Sequence, residues 1–589
     1  MTSRILAIPS VRRGNGSGHL QRTLRLARQF PEEIALYLDR EGKFDSRPAM
    51  DLERLKDPIV TEIGYEELIS TPWRFILLDQ RETSAEMLAV LSSLAPVAAI
   101  DEGGPRDLFD YLIDTLPRLD REEANLLCPS LNKQPRNRRP FPEPSNQQIS
   151  AHSVLISFGG EDPLGLSIPT ARALIEECGI RPEAVTIVRG PNFSSLTLPA
   201  EFAGMTLLNA PEDLIDRLAD FDLLIGSYGL TVLEALTAGT PVVTINPSRY
   251  HEQLAERLGI PRAGRERVEP KRLKKHIENF TAVVAHSRQA ARSLLQADET
   301  GSGPASIIAL NPSTRFCPGC GGEKRQLLER FPERSFYRCR SCSLIFQQRW
   351  IPDTTEYNQA YFFEEYRRQY GKSYLEDYEH IKAMGGKRIK EIRRLVPAGR
   401  LLDIGCAYGP FLDAAAEAGY EIEGVEPAAE AARYAREHLS APIATVGLEE
   451  FAAAGEQSFD VVTLWYVIEH FQGLEDTLRL LSGLVREGGV LAFGTPNGRG
   501  VSARRNRRRF LKQSPGDHYS ILDPRSVRGL LAQHGFRVRH FRSTGLHRDR
   551  FPALLRPLWP LVRPMAAGMG SGDTFEIYAQ KDSSSTGGR

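Results

Sequence analysis

The stretch that most limits what this chain can fold into is Arg400-Leu401-Leu402-Asp403-Ile404-Gly405-Cys406-Ala407-Tyr408-Gly409, followed at once by Phe411-Leu412-Asp413-Ala414-Ala415-Ala416. A short apolar run bounded by small residues and then an alanine-rich segment reads as strand, tight turn and helix. Glycines in such a turn let the backbone approach a ligand, and doubly wound α/β sheets bind ligands at the carboxyl ends of their strands. A second run, 422–425, ends in Glu426, about 20 residues past the turn, where an acidic side chain characteristically holds ribose hydroxyls. Residues 458–464 read as a buried central strand with Trp465 to His470 at its end, and 490–494 as the next strand, leading to Thr495-Pro496-Asn497. The closing run 574–581 alternates like an edge strand.

The same alternation of short β-rich runs and helical patterns fills the first half, at 5–8, 75–78, 154–156, 185–188, 223–225 and 242–245. An α/β fold with mostly parallel strands follows. At 589 residues the chain exceeds what one core usually organises. Breaks are expected at 132–148, rich in Pro, Asn, Gln and Arg, at 296–313, and in the polar tail from Asp582. Lys plus Arg equals Asp plus Glu at 75 each, so any site for a polyanion must be local. The apolar run at the N-terminus is too short for a signal peptide, and no run approaches a membrane span, so a cytoplasmic location is expected.

From Arg400 onward the segments, in their order, resemble the class I methyltransferases that use S-adenosylmethionine, over a domain at 357–581. The resemblance implies that Asp403, Gly405 and Gly409 surround the methionine end of that cofactor, that Glu426 holds its ribose, and that the segment up to His470 lines the substrate side. Ala407 stands where the family commonly has glycine. His518, in Gly516-Asp517-His518-Tyr519-Ser520 ahead of a helix at 524–534, matches a His-Tyr neighbourhood of related sugar methyltransferases and is the expected general base.

Seven cysteines in so long a chain make no disulfide framework. Four form two pairs, Cys317-Pro318-Gly319-Cys320 and Cys339-Arg340-Ser341-Cys342, at the spacing of a closed four-thiolate Zn2+ site, which is structural because no coordination position is left open. Cys128, Cys178 and Cys406 are expected as plain buried thiols, and Phe316, Phe336, Tyr337 and Phe346 as a small core around the metal. A zinc ribbon at 314–350 ahead of such a domain is similar to sugar methyltransferases acting on nucleotide-activated sugars, and also to some ribosomal RNA methyltransferases.

The first half helps to separate those readings. Gly14-Asn15-Gly16-Ser17-Gly18-His19 follows the first strand and opens a helix, and backbone donors at a helix start suit a phosphate. His19 has an intrinsic pKa suited to proton transfer, with a helix cap as the bland alternative. Farther on come Phe158-Gly159-Gly160-Glu161-Asp162-Pro163 and Gly226-Ser227-Tyr228-Gly229-Leu230-Thr231-Val232-Leu233-Glu234. Together these resemble the two-lobed glycosyltransferase fold termed GT-B, with lobes at 1–145 and 150–300, and most of all a hydrolase family that cleaves UDP from a diacetamido-trideoxy sugar. The resemblance implies proton transfer by His19, a phosphate near Gly18, pyrophosphate beside Gly229 and Thr231, and the UDP ribose on Glu234. Tyr228 interrupts the family's glycine pair there.

Two features have bland readings. Arg504, Arg505, Arg507, Arg508 and Arg509 read as a solvated loop, with a substrate diphosphate as the alternative. Residues 554–569 mix Leu, Trp, Pro and Arg and read as an amphipathic cover over the site, or else as a surface touching membrane. The expectation is a two-enzyme carbohydrate fusion: S-adenosylmethionine-dependent methyl transfer to a sugar, joined to a UDP-sugar hydrolase or glycosyltransferase. The alternatives are an RNA methyltransferase, disfavoured by the zero net charge, and a first half that only binds a nucleotide sugar. The identity of the sugar, the methylated atom and the oligomeric state are not written in the sequence.

Overall fold

The computed structural model describes residues 4–12, 18–46, 59–80, 82–117, 124–132, 134–143, 151–159, 162, 164–190, 199, 202–211, 213–299, 303–352, 367, 371–455 and 457–582. The chain divides into two compact units, Met1–Asn311 and Pro312–Arg589. Among the described residues no helix is long and apolar enough to cross a membrane.

The first unit holds two parallel sheets. In one, seven strands run in the spatial order Thr61–Glu62, Ile34–Leu36, Ile5–Pro9, Phe75–Asp79, Val97–Ile100, Tyr111–Asp114, Leu126–Leu127. The other orders six strands as Thr206–Asn209, Val185–Arg189, Val154–Ser157, Leu223–Gly226, Val242–Asn246, Arg262–Arg265. Their central strands are buried and mostly apolar, as a sheet covered on both faces requires, with polar residues such as Asp79, Ser157 and Asn246 at the strand ends. The division between the units falls inside the break expected at 296–313, part of which is helical: Phe280–Glu299 is one continuous helix, and Pro304–Ile308 forms another. The sequence 280–299 holds no proline or glycine to stop a helix, which outweighs its polar end.

In the second unit a seven-stranded sheet has the order Ile443–Ala444, Glu421–Val425, Arg400–Ile404, Phe459–Trp465, Val485–Pro496, Thr574–Lys581, Phe536–Thr544. The first five strands are parallel, and the last two run antiparallel to their neighbours. Thr574–Lys581, expected at the edge, is interior, with Phe575, Ile577, Tyr578 and Ala579 all buried. Its alternation was misleading because the polar Glu576 is buried too, paired with the equally buried Arg388 at 2.9 Å. The edge belongs to Phe536–Thr544.

A second, four-stranded antiparallel sheet joins Arg325–Phe331, Arg334–Cys339 and Ile345–Arg349 to Ser520–Ile521, a strand from late in the chain. Phe336, Tyr337 and Phe346 are buried in this small module as expected, but Phe316 is 39% exposed and lies under the Arg315 guanidinium. Cys128 and Cys406 are buried, and Cys178 is half-buried.

Candidate functional site

The carboxyl edge of the large C-terminal sheet gathers the functional side chains, because each parallel strand delivers its following loop to the same edge. Gly405 and Gly409 both adopt left-handed backbone, with φ of 71° and 86°. A Cβ on Gly405 would stand 2.5 Å from Val467 Cγ2, and one on Gly409 would stand 2.7 Å from Leu439 Cδ1, so the turn can close only with glycine at these points. Ala407 takes the same hand, φ 49°, which costs a side chain of the order of 1 kcal/mol or more. Its N–H donates to Glu426 Oε2 at 2.8 Å, and the Ala428 N–H donates to Oε1 at 2.9 Å. The glycine turn and the acid on the next strand are therefore one hydrogen-bonded unit.

Asp403, at the end of its strand, accepts from the Thr463 hydroxyl at 2.6 Å. Burial pushes its pKa up to about 7, and burial likewise raises Glu426 despite its two backbone donors. Neither carboxylate has an ion pair among the described residues. Arg388, near enough to act on Asp403, is itself paired with Glu576, so the two buried acids fit a ligand that brings positive charge of its own, as the ammonium and sulfonium groups of S-adenosylmethionine do.

The next strand ends at Trp465, and Tyr466 turns into left-handed backbone at φ 61°. Such a conformation is costly for a bulky residue and persists only where the surrounding structure holds it. The turn leads to Glu469, almost fully buried, neither of whose carboxylate oxygens has a hydrogen-bond partner, with a pKa pushed up to about 7 by burial. His470 Nδ1 lies 2.9 Å from Asp517 Oδ2, and the His470 and His518 rings meet edge to face with centroids 4.7 Å apart. Burial opposes a charge on His470, but Asp517 and Glu469 outweigh it and raise its pKa. His518 is driven down to about 3 by burial and by the charge of His470, so it is a neutral imidazole. One ligand atom each of Glu469, His470 and His518 fall within 4.8 Å of one another, close enough to share a metal ion or a proton.

The loop that carries Asp517 and His518 is held by the small cysteine module. Gln347 donates from its backbone to the Tyr519 carbonyl at 3.1 Å, and Arg349 donates to the Gly516 carbonyl at 2.6 Å. Arg334 reaches the Pro515 and Ser514 carbonyls at 2.9 and 2.7 Å. At the other end of the module the four cysteine sulfurs converge: Cys317 to Cys342 is 3.5 Å and Cys320 to Cys339 is 3.6 Å. A Zn2+ tetrahedron with bonds of about 2.3 Å has S···S edges of roughly 3.8 Å, so the thiols fit such an ion.

In the first unit, Gly14 to Ser17 lie outside the described residues, and Gly18 begins the helix Gly18–Gln29. His19 in its first turn points its Nδ1 at Asp79 Oδ1, 2.7 Å away, which makes it a partner of a carboxylate and not a cap for the helix. Asp79 ends the strand Phe75–Asp79 and is fully buried. Arg22 grips both of its oxygens at 2.8 and 2.6 Å and extends to Asp101 at 2.6 Å. Burial works against the Asp79 charge, yet Arg22 and His19 outweigh it and hold the carboxyl below its usual range.

In the second sheet of this unit Gly229 caps the helix Leu230–Ala238, with Thr231 and Glu234 half-buried along it. Tyr228 is buried and donates its N–H to Asn246, so its ring fills the core and leaves the backbone to form the turn. Gly159 and Asp162 are described, and Asp162 caps the helix Ser167–Glu176, while Gly160, Glu161 and Pro163 lie outside the described residues. The sequence assigns no role to Asp79, Arg22 or Asp517, and Glu469 enters it only as part of the segment 465–470 on the substrate side. An acid closing an apolar strand, as in Phe75-Ile76-Leu77-Leu78-Asp79, is the signal that marks Asp79.

Comparison with known proteins bears on the second unit. Residues 374–540 match the family described as a methyltransferase domain. The ubiquinone biosynthesis O-methyltransferase of Bordetella avium is 30% identical over 145 residues, 24% of this chain and 57% of that protein. The Escherichia coli protein of the same name is 26% identical over 192 residues, 31% of this chain and 75% of that protein. Thus the chain spans little more than half the length of the first of these curated relatives. Among solved structures, an S-adenosylmethionine-dependent methyltransferase from Archaeoglobus fulgidus aligns with 98% of its length to 37% of this chain, at 18% identity and a TM-score of 0.28.

Proposed function

We propose that residues 357–581 transfer a methyl group from S-adenosylmethionine to a small carbohydrate acceptor, a nucleotide-activated sugar foremost, and that the first half acts on a UDP-sugar. The observation that carries the methyl-transfer reading is the pair of unpaired buried acids, Asp403 and Glu426, tied to the glycine turn within the matched domain. The cofactor, when bound, supplies an electrophilic methyl on a sulfonium. Glu426 keeps one lone pair on each oxygen for ribose hydroxyls, since each oxygen accepts one backbone donor. Asp403 would hold the cofactor's ammonium and would be ionised beside that charge. On the acceptor side the neutral His518 offers the lone pair that would take the proton, weakened as a base by burial and by the charge of His470, and Asp517 holds His470 in place next to it. The name O-methyltransferase carried by the relatives favours a hydroxyl as the accepting group.

The four cysteines hold a structural Zn2+ in this reading, and the module it builds fixes the loop of Asp517 and His518. The test is incorporation of labelled methyl into a panel of nucleotide sugars. His518→Ala lowers turnover 10²- to 10⁴-fold, and a variant within a factor of two of the parent would remove the base from the scheme.

For the first half, a GT-B-like pair of lobes at 1–145 and 150–300, the supporting observation is the His19–Asp79–Arg22 cluster at a strand end. A histidine oriented by a buried carboxylate is equipped for proton transfer at a sugar anomeric centre or its attacking water. UDP or UMP release from a UDP-sugar is the readout. His19→Ala stops release and spares methylation, whereas an active parent whose His19→Ala variant is undiminished would refute the assignment.

A further inference from the structure

Two features of the second unit take no part in this chemistry, and the fold brings them together. The first is the helix Trp559–Gly568 with its flanks. Leu558, Leu561, Met565 and Met569 recur at i, i+3, i+7 and i+11, a stripe of about 80° on a helix of 100° per residue. A stripe of this kind ordinarily turns inward, and the sequence led us to expect a cover over the site. Here it faces outward: Leu561 is 67% exposed, Met565 66%, Met569 68%, and Leu554 just before the helix 89%.

The second feature is basic. Between Arg499 and Gln513 the chain has seven Lys or Arg and no acid, in a protein whose overall net charge is zero. The segment is helical, Val501–Arg505 and Arg507–Gln513, instead of the loop expected. Glu329 neutralises part of it by pairing with Arg507 and Arg508 at 3.4 and 3.2 Å. Arg504, Arg509 and Lys512 are exposed and make no ion pair among the described residues.

These two features adjoin. The Arg505 guanidinium reaches the Arg550 carbonyl at 3.5 Å, and Val501 donates its N–H to the Ser571 carbonyl at 2.9 Å, so the basic helices abut both flanks of the apolar one. From Arg550 to Gly572 the chain carries three arginines, of which Arg550 pairs with Asp573 at 2.5 Å.

We propose that this surface docks on an anionic phospholipid bilayer, the apolar stripe entering the headgroup region and the arginines resting on lipid phosphates. An exposed apolar stripe alone could be covered by protein or lipid, but local positive charge beside it complements an anionic lipid surface. Membrane anchoring that lasts takes two such signals acting together. The basic helices follow Asn497 at the end of the strand Val485–Pro496. Docking therefore brings the carboxyl edge, with its acceptor side, next to the bilayer.

The experiment is flotation of the full chain with phosphatidylcholine vesicles, with and without phosphatidylglycerol, at low and high salt. The expected result is flotation with the anionic vesicles only, reversed by salt. The triple variant Leu561→Ser, Met565→Ser, Met569→Ser loses flotation, and Arg504→Gln with Arg509→Gln weakens it by about thirtyfold, at roughly 1 kcal/mol per basic residue. All five side chains are exposed, and circular dichroism of each variant checks the fold. No binding of the parent to anionic vesicles overturns the proposal, as does undiminished binding of the triple variant. A concentration-dependent dimer that the triple variant abolishes, with no flotation, overturns it in favour of a second copy of the chain.

Discussion

Two strand ends, one in each unit, solve the problem of a buried carboxylate in opposite ways. Asp79 is fully buried and saturated: Arg22 takes both oxygens, His19 adds a third contact, and the carboxyl stays ionised. Asp403 is equally buried and has one hydroxyl donor, so it is driven toward its neutral form. A saturated acid is scaffold, and what it does here is orient the side chain of His19. An unsaturated acid is a vacancy in charge that a cationic ligand can fill. The two sites also differ in where their order comes from, since the first is held by its own neighbours and the second borrows the cysteine module to fix Asp517 and His518.

The largest effect should come from taking away that borrowed support. Replacing Cys317 and Cys339 with Ser abolishes the proposed Zn2+ site, and structural zinc in small modules is worth about 10 kcal/mol or more. Elemental analysis should give one zinc per parent chain and none in the variant, with methyl transfer lost and any UDP-sugar chemistry kept. Equal zinc in both would break the contrast between a borrowed and an intrinsic scaffold.

Arg22→Ala comes next. It strands Asp79 in the interior without its counter-ion, which costs about 3 to 5 kcal/mol. Amide hydrogen exchange of residues 75–79 in the full chain, followed by mass spectrometry, should show protection falling by that amount while the strand Arg400–Ile404 exchanges as before. Unchanged protection would mean that Asp79 is not saturated in the way its geometry indicates.

On the other side of the comparison, Glu426→Ala should weaken S-adenosylmethionine by about 1.5 to 3 kcal/mol, the worth of a hydrogen bond to a charged group. Isothermal calorimetry reads this directly, and parental affinity would remove Glu426 from the cofactor site.

The smallest effect is a slope with pH. The folded protein takes up the Asp403 proton at about 7, and the unfolded chain does so near the ordinary value of about 3.9. The folded state therefore binds more protons between those values, so this group's contribution to stability falls as pH rises through that window and levels off above it. Asp403→Asn removes the slope. In the absence of cofactor the variant should be more stable than the parent at pH 8, by a margin that grows as pH rises from about 4 to about 7, and equally stable near pH 4. Chemical denaturation at the two pH values measures both, and a variant less stable at pH 8 would show that Asp403 already has a cationic partner.

Much of the large sheet in the second unit was legible in the sequence, because buried parallel strands are nearly continuous apolar runs, as 401–404 and 459–465 nearly are, while 421–425, Glu-Ile-Glu-Gly-Val, was legible through the acid Glu426 that follows it. The strand Thr574–Lys581 was misplaced because its polar member, Glu576, finds a buried arginine from far along the chain. No local pattern shows a partner 188 residues away. For the same reason Cys317 and Cys339 could be read as a pair of metal corners from spacing alone, whereas the grip of Arg334 and Arg349 on the loop of His518 could not.

By itself the sequence determined the strand-turn-helix at Gly405, the acid at Glu426 and the cysteine spacing, since each depends on residues a few positions apart and on backbone freedom that only certain residues have. Tertiary structure alone decided which acid is saturated and which is not, that His19 is oriented by Asp79, and that the stripe at 558–569 faces outward beside the basic helices. Those outcomes depend on desolvation and on charges brought together from distant segments. Neither has a value until the chain has folded.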